Sequence, residues 1–411
     1  MTGKRFGLLA VLAGAVALLL AACGADPTAT PTSAPTATPP PQATPTPTPD
    51  AAALFQAEWD ALIEAAREEG RLTIAFGGGA GRNYRPITDL FGEMFGIETV
   101  LATGGGAAHV DRVMAEQNNG RYLVDVMYSG PTPFITRMLP ANALIPIADL
   151  FIHPEVTDKS LWYRGKHWYS DPPQQFVFAF AASAGPENMG MQYNTDLVTQ
   201  ADIDAMNSVF DFLDPKWKGK IVSHSPVRGG SSGTYFKAYV HPDIGTDWID
   251  GFLSPELDVL FTEDTRFITD AIANGKYYMA VAAGGLQDLE SLATLGAPVK
   301  KLVKEFKEGG SLSSTSSTHN VVVPINQPNP NATKLWINWF LSQEGQTLTH
   351  TLVEVVGEPT FRADVTDWGK TNPEDRRVEG KSYYSFGTNP ELVAKRQEAN
   401  AYVTALWEAT R

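Results

Sequence analysis

Cysteine is nearly absent from this chain: Cys23 is the one cysteine in 411 residues. A body without thiols holds no disulfide and no cysteine–metal site, even in an oxidising space. Basic residues are scarce too. Lys and Arg number 32 against 46 Asp and Glu, and the formal charge is −14. No basic stripe offsets that excess, which argues against a nucleic-acid partner. The sign of a pocket stays open, because local groups set it. Beyond the N-terminus no apolar run is long enough to span a bilayer. The seven histidines are scattered, without His-x-His or His-Glu-x-x-His spacing. No directly chelated metal and no cofactor are therefore expected.

What is present starts at the N-terminus. Lys4 and Arg5 precede the apolar run Phe6 to Leu20, which is too short for a stable span. Small residues then lead into Cys23. Leu20-Ala21-Ala22-Cys23 resembles a bacterial lipobox. That resemblance implies a lipoprotein signal peptide over residues 1–22, cleavage before Cys23 and lipid on its thiol. A plain secretory signal with an incidental cysteine is the alternative. Pro27 to Pro49 is almost all Pro, Thr and Ala, a composition that cannot offset its own ordering entropy. Residues 23–53 read as an unpacked tether, reaching up to roughly 90 Å from a bilayer if extended. The expected location is the outer face of the cytoplasmic membrane, with membrane contact through the lipid alone.

The rest of the chain is long enough for two lobes. It reads as alternating strands and helices. A helix from Leu54 to Glu69 stops at Gly70, and Pro86 opens the next. Leu72 to Phe76, Ile97 to Leu101 and Val124 to Tyr128 read as strands, each followed by small residues and a helix. The rhythm restarts with strands at Phe176 to Ala182, Gln192 to Thr195, Ile221 to Ser223 and Tyr277 to Ala282, and Val321 to Val323 as a return strand. Such a pattern implies parallel βα units, with ligands beyond the carboxyl ends of the strands. Residues 54–180 plus 319–411 are assigned to lobe 1 and 181–318 to lobe 2. The chain crosses twice, which implies a cleft and a hinge.

One segment carries a family resemblance. Asp214-Pro215-Lys216-Trp217-Lys218-Gly219-Lys220-Ile221 is similar to a segment of family 1 extracellular solute-binding proteins, in the ferric-type branch serving ABC importers. Other matches fall in the same order: Glu58-Trp59, Gly120-Arg121-Tyr122, Tyr193-Asn194-Thr195, Ser342 to Gln346, and Arg362 to Val365. The resemblance runs from Leu54 to about Val365. It implies an α/β, two-lobed type II periplasmic-binding-protein fold. Each lobe would be a mostly parallel sheet flanked by helices, joined by a two-strand hinge. It also implies a receptor that captures a small molecule and delivers it to an ABC permease, without covalent chemistry; a monomer is expected.

The branch's iron ligands are not matched. They comprise a histidine after the first strand, a glutamate after the third and two tyrosines after a later strand. Gly77 to Gly81 holds no histidine, and Gly130 stands where the glutamate would fall. Tyr277-Tyr278 follows Asn274-Gly275-Lys276 directly, so it begins its strand, and Gly285 and Leu286 occupy the pair's positions. Ferric or iron-chelate binding is kept as the alternative.

The loops instead suit an anion. Gly78, Gly79, Thr103, Gly105, Ser129, Gly130, Thr132, Ser231, Ser232, Gly233, Thr234, Gly284 and Gly285 place glycines and hydroxyls near helix N-termini. Arg82 and Arg228 flank two of these loops and suit bidentate bonds to carboxylate or phosphonate. Tight turns with solvated arginines are the other reading. Tyr128, Trp162 and Tyr193 are candidates for an apolar wall, or plain core. Gly229-Gly230-Ser231-Ser232-Gly233 also fits G-x-S-x-G, with Asp288 and His319 or His350 as possible partners. Pro226 to Gly229 intervenes between strand and serine, so no enzyme is expected. An adhesin is disfavoured by the family motifs.

Replacing Cys23 by serine is expected to release the protein from membranes and weaken uptake while leaving solute affinity unchanged. Fractionation and calorimetry on the same variant check this. A loss of affinity would give the anchor a second role.

Overall fold

Asp50 caps the first helix, its carboxylate accepting the Ala52 N–H. Helix α1 (Ala51–Glu69) ends at Gly70, whose φ of 70° is a left-handed stop. Residues 51–53, read above as tether, are therefore helical. The computed structural model describes residues 50–411 apart from 78, 228–231, 285, 314–318, 354–358, 370 and 372. Cys23 and the Pro-rich segment lie outside the described residues.

Strand β1 (Arg71–Gly77) follows, then α2 (Arg85–Phe95) with Pro86 in its first turn, β2 (Glu98–Gly104), α3 (Gly106–Asn118), β3 (Val126–Ser129) and β4 (Phe178–Ala179). The chain leaves along β5 (Ser183–Pro186) into β6 (Gln192–Asn194) and β7 (Ile221–His224). Next come α4 (Ser232–Val240), α5 (Gly245–Leu253), β8 (Leu260–Thr262), α6 (Thr265–Ala273), β9 (Met279–Ala280), α7 (Leu286–Thr294) and β10 (Val299–Lys301). It returns through β11 (Gly310–Ser313) and β12 (Asn320–Val322). Helices α8 (Pro330–Leu341), α9 (Gln343–Leu352) and α10 (Arg396–Ala409) complete it.

Among the described residues the strands form two five-stranded sheets, ordered β2-β1-β3-β12-β4 and β10-β6-β9-β7-β8, and a two-stranded ribbon of β11 and β5. The expected two lobes and two-strand hinge are both present. As expected, each sheet is mostly parallel: four of its five strands share one direction and one strand is reversed. In lobe 1, β2, β1 and β3 are parallel, whereas β12 is antiparallel to both β3 and β4. In lobe 2, β8, β7 and β9 are parallel, and β6 is antiparallel to β9 and β10. The reversed strands are β6 and β12, which directly follow the hinge strands β5 and β11 and so enter their sheets without a helical crossover.

The strand expected over Phe176 to Ala182 is shorter. The run is buried, but only β4 keeps the ladder. The Ala179 N–H donates to Trp168, Phe180 to His319 and Ala182 to Pro359, so irregular segments satisfy its backbone. The C-terminal helix also departs from the lobe assignment. Val403 of α10 joins the lobe 2 core with Trp248 and Phe252, and the Tyr402 ring lies tilted against that of Tyr239. Its apolar face thus belongs to lobe 2, although residues 319–411 were assigned to lobe 1.

Lobe 1 is built round an aromatic core. Phe76 stacks between Tyr84 and Tyr128, with centroids 4.2 and 4.5 Å away, and the Tyr128 hydroxyl accepts the Trp336 Nε1–H at 2.8 Å. Gly345 makes the α8–α9 corner possible. A Cβ there would lie 2.1 Å from the Trp339 carbonyl oxygen and 2.8 Å from that of Phe340. Gly345→Ala is expected to cost at least about 2 kcal/mol, since backbone must move. Urea denaturation measures it, and an unchanged midpoint would contradict the close approach.

Candidate functional site

The register of the parallel strands brings the lobe 1 loops level. Phe76 faces Thr103 on one side and Tyr128 on the other, and Gly77 faces Gly104. Their carboxyl ends therefore open together. A Cβ on Gly77 would meet the Gly106 Cα at 2.8 Å, the Tyr128 oxygen at 2.9 Å and Ser129 Oγ at 3.1 Å. One on Gly106 would lie 1.9 Å from Ser129 Oγ. Three loops thus touch at one point, and glycine is what permits it.

Helix α3 opens on this point. Its N-cap is Gly105, so no side chain caps its first turn. Free N–H groups and the positive helix end favour an anion there. Thr103, Gly104 and Gly105 are exposed, and Gly130 and Thr132 are half-buried. Beneath Gly104 lies His109, its Nε2 3.1 Å from where a Cβ would stand and without a hydrogen-bond partner among the described residues. Burial, then the nearby Arg112, lowers its pKa, opposed by a backbone hydrogen bond with Phe76. His109 is thus favoured in its neutral form.

The lobe 2 side is built from the ends of β7 and β9. Gly284 is exposed, its carbonyl accepts the Gln192 amide at 3.1 Å, and His224 Nε2 lies 3.6 Å from where a Cβ would stand. Ala282 has φ 52° and donates its N–H to Met189, itself at φ 54°. Two non-glycine residues are thus held left-handed at this rim, a strain of about 1–3 kcal/mol each. Gly233 and Thr234 lie in the first turn of α4, half-buried. A cavity of about 250 Å³ adjoins the rim, between the hinge ribbon and lobe 2, lined by Ser183, Ser311, Gln192, Lys237 and Ala283. Lys237 pairs with the fully buried Glu187 at 2.7 Å.

The predicted residues divide clearly. Gly105, Ser129, Gly130 and Thr132 gather at the lobe 1 loops with Thr103, and Gly233, Thr234 and Gly284 lie at the lobe 2 strand ends. Gly79 starts a short 3-10 turn that ends at Tyr84, and Arg82 within it is exposed. Ser232 opens α4. Gly78, Arg228, Ser231 and Gly285 lie outside the described residues. Tyr128, Trp162 and Tyr193 are buried core, not pocket wall. Asp288 is exposed on α7, whereas His319 and His350 are buried on the lobe 1 side. His350 Nε2 accepts the Thr360 N–H. Tyr277-Tyr278 precede β9, and the Tyr278 carbonyl accepts from Asn194. They stand at the opposite end of that strand from Gly284. Among the described residues no cluster of three or more His, Cys, Asp or Glu is placed to hold a metal.

One group at the cleft was not foreseen. Arg396, the first residue of α10, is 2% exposed. Its Nη1 donates to Thr132 Oγ1 at 3.1 Å, and its guanidinium carbon lies 4.1 Å from the centroid of the Phe236 ring in α4. It therefore touches both lobes. A single arginine at a helix start carries no sequence signal that would have marked it.

With this geometry in place, the comparisons decide the family. A model described as bacterial extracellular solute-binding protein matches residues 87–376. The chain belongs to that family. The resemblance carried by Asp214 to Ile221 and its companions is borne out. As a solute-binding protein it works outside the cytoplasm, in a family of binding proteins rather than enzymes. Among curated proteins none matches the chain. Solved structures share its fold. AfuA from Actinobacillus pleuropneumoniae, with exogenous fructose-6-phosphate bound, is 17% identical with a TM-score of 0.59, over 82% of this chain and 99% of that one. Iron-bound HitA from Pseudomonas aeruginosa is 16% identical with a TM-score of 0.56, over 82% and 99%. The ferric binding protein from Campylobacter jejuni is 16% identical with a TM-score of 0.57, over 83% and 98%.

The contact between loops is testable through its two partners. Gly106→Ala is expected to cost about 1–3 kcal/mol by driving into Ser129. Adding Ser129→Ala should restore part of it, because the nearest atom is then gone. Chemical denaturation of the four proteins in this cycle measures the coupling; strict additivity would mean the loops do not meet.

Proposed function

We propose that this solute-binding protein is a lipid-anchored receptor that captures a small anionic solute between its lobes and hands it to an ABC permease. The observation that supports the anionic reading best is the meeting of Gly77, Gly104 to Gly106 and Ser129 at the uncapped start of α3. Backbone N–H groups, the helix dipole and the Ser129 hydroxyl all offer positive ends of dipoles. The glycines let a ligand approach those N–H groups without side chains in the way. Thr103 and Thr132 add hydroxyls from neighbouring loops.

AfuA holds a sugar phosphate in this fold, so an anionic organic solute is compatible with the architecture. HitA holds iron. That cargo is less suited to this chain, because the tandem tyrosines stand at the far end of β9 from the cleft loops. In the proposed cycle the lobes close on the solute through the β5–β11 ribbon, and the closed form docks on the permease. No bond in the solute is made or broken. Cys23, acylated, keeps the receptor beside its permease by raising local concentration.

Native mass spectrometry of the full chain, purified without added solute, tests the ligand class. An adduct whose mass and fragmentation give a carboxylate, phosphate or phosphonate is expected. A neutral sugar as the sole adduct would overturn the anionic reading.

A further inference from the structure

Buried arginines in this protein show what their guanidinium groups require. Arg362, fully buried, grips Asp364 through one edge: Nε donates to Oδ1 at 2.8 Å and Nη2 to Oδ2. Its remaining nitrogen donates to the Glu155 and Leu341 carbonyls. Arg377, half-buried, also has partners: it donates to the Pro359 and Thr360 carbonyls and lies over Tyr163, Phe361 and Trp368. Arg396 is as buried as Arg362, yet its Nε and Nη2 meet no acceptor among the described residues. These atoms form the same edge with which Arg362 holds a carboxylate.

We propose that Arg396 is a solute-binding residue, whose Nε–Nη2 edge takes two oxygens of a carboxylate, phosphate or phosphonate group in the cleft. The inference rests on the solute-binding cleft described above and names the group that reads the solute's charge. Its side chain is held from two other directions. Thr132 fixes the Nη1 end and Phe236 covers one face. What is left is a single planar edge with two parallel donors, the arrangement that matches an oxyanion. A buried donor without a partner is rare in native proteins and calls for one. Burial, with no anion to offset it, pushes the Arg396 pKa down to about 10, so the group is still charged at neutral pH.

The rest of α10 explains how the side chain is positioned. Glu398 accepts the Tyr239 hydroxyl at 2.7 Å, Tyr402 donates to Asp250, and Val403 enters the lobe 2 core. Arg396 therefore rides on lobe 2 and reaches Thr132 on lobe 1. An anion on its free edge would be gripped where the two lobes meet, which couples its recognition to closure. The residue lies beyond the stretch matched by the family model, residues 87–376.

The test uses the full chain in detergent, as wild type, Arg396→Met and Arg396→Lys, with inorganic phosphate, methylphosphonate and citrate as probes and glucose as control. Thermal melts and calorimetry are the readouts. At least one anion should stabilise the wild type. Arg396→Met should bind that anion at least about 30-fold more weakly, while melting at or above the wild-type temperature without it, since an unpaired buried charge has been removed. Arg396→Lys, which keeps the charge but not the fork, should bind at least about 10-fold more weakly. Wild-type affinity in both variants overturns the role of Arg396 and leaves the anionic cleft standing. An Arg396→Met protein that melts well below wild type without anion assigns the residue to joining the lobes and overturns the proposal. A wild type indifferent to all three anions removes the anionic reading and the role of Arg396 together.

Discussion

The antiparallel pairing of β5 with β11 is the constraint from which the two-lobed arrangement follows. The chain leaves lobe 1 after β4 and returns as β12, which lies between β3 and β4 in the same sheet. Lobe 1 is therefore incomplete until lobe 2 has been traversed, and its central pairing is strongly non-local. The ribbon aligns Ser183 with Ser313 and Pro186 with Gly310, which sets how the two crossings run side by side. The C-terminal segment braces it. Tyr384 exchanges backbone hydrogen bonds with Gly310 and Leu312, and its hydroxyl donates to the Val240 carbonyl at the end of α4. Gly310 is small for this reason: a Cβ would stand 3.1 Å from Tyr383 and 3.2 Å from the Gly185 oxygen. Hinge, C-terminal segment and lobe 2 helix thus share one packed junction.

The same logic of close approach governs the cleft. Parallel pairing levels the strand ends, and the stacked Phe76, Tyr84 and Tyr128 hold those ends rigid from below. Trp336 fixes the tyrosine by donating to its hydroxyl. Aromatic packing of this kind supplies both burial and orientation. Gly77, Gly104, Gly105 and Gly106 leave the strand ends above it short of side chains. A rigid floor and a bare rim suit recognition by backbone groups, which need placement more than bulk.

Much of this was legible in the chain. Gly70 and Pro86 marked helix ends through known backbone preferences, and both act as expected. The Asp214 to Ile221 segment is legible for local reasons too. Asp214 accepts the Lys216 N–H, Gly219 takes φ 70°, and Trp217 buries its ring while donating to Asp211. The order of tyrosines and Asn274-Gly275 placed Tyr277 and Tyr278 at the entry of their strand rather than after it, and they lead directly into β9. Other features had no local signal. Phe176 to Ala182 looks like a long strand because every residue from Val177 is buried, yet its hydrogen bonds go to segments far along the chain. The left-handed Met189 and Ala282 are held by one another across lobe 2, which no pattern of residues announces. Arg396 is the clearest case. Its sequence neighbours say only that a helix begins, and its role arises from where α10 packs.

The chain's acidity and the anionic solute proposed for it are reconciled by distance. A formal charge of −14 acts on an approaching anion from the whole surface, but salt screens such fields beyond about 8–10 Å. Once the solute is between the lobes, the groups that matter are near and poorly solvated, where each charge interacts far more strongly than in water. The start of α3 and the guanidinium of Arg396 are of that kind. In the proposed reading, surface and cleft serve different steps: the acidic surface disfavours self-association, while the buried donors read the solute. This division also favours arginine at position 396. A lysine there would present a more strongly hydrated point charge, whereas the guanidinium sheds water readily and keeps a fixed plane against Phe236.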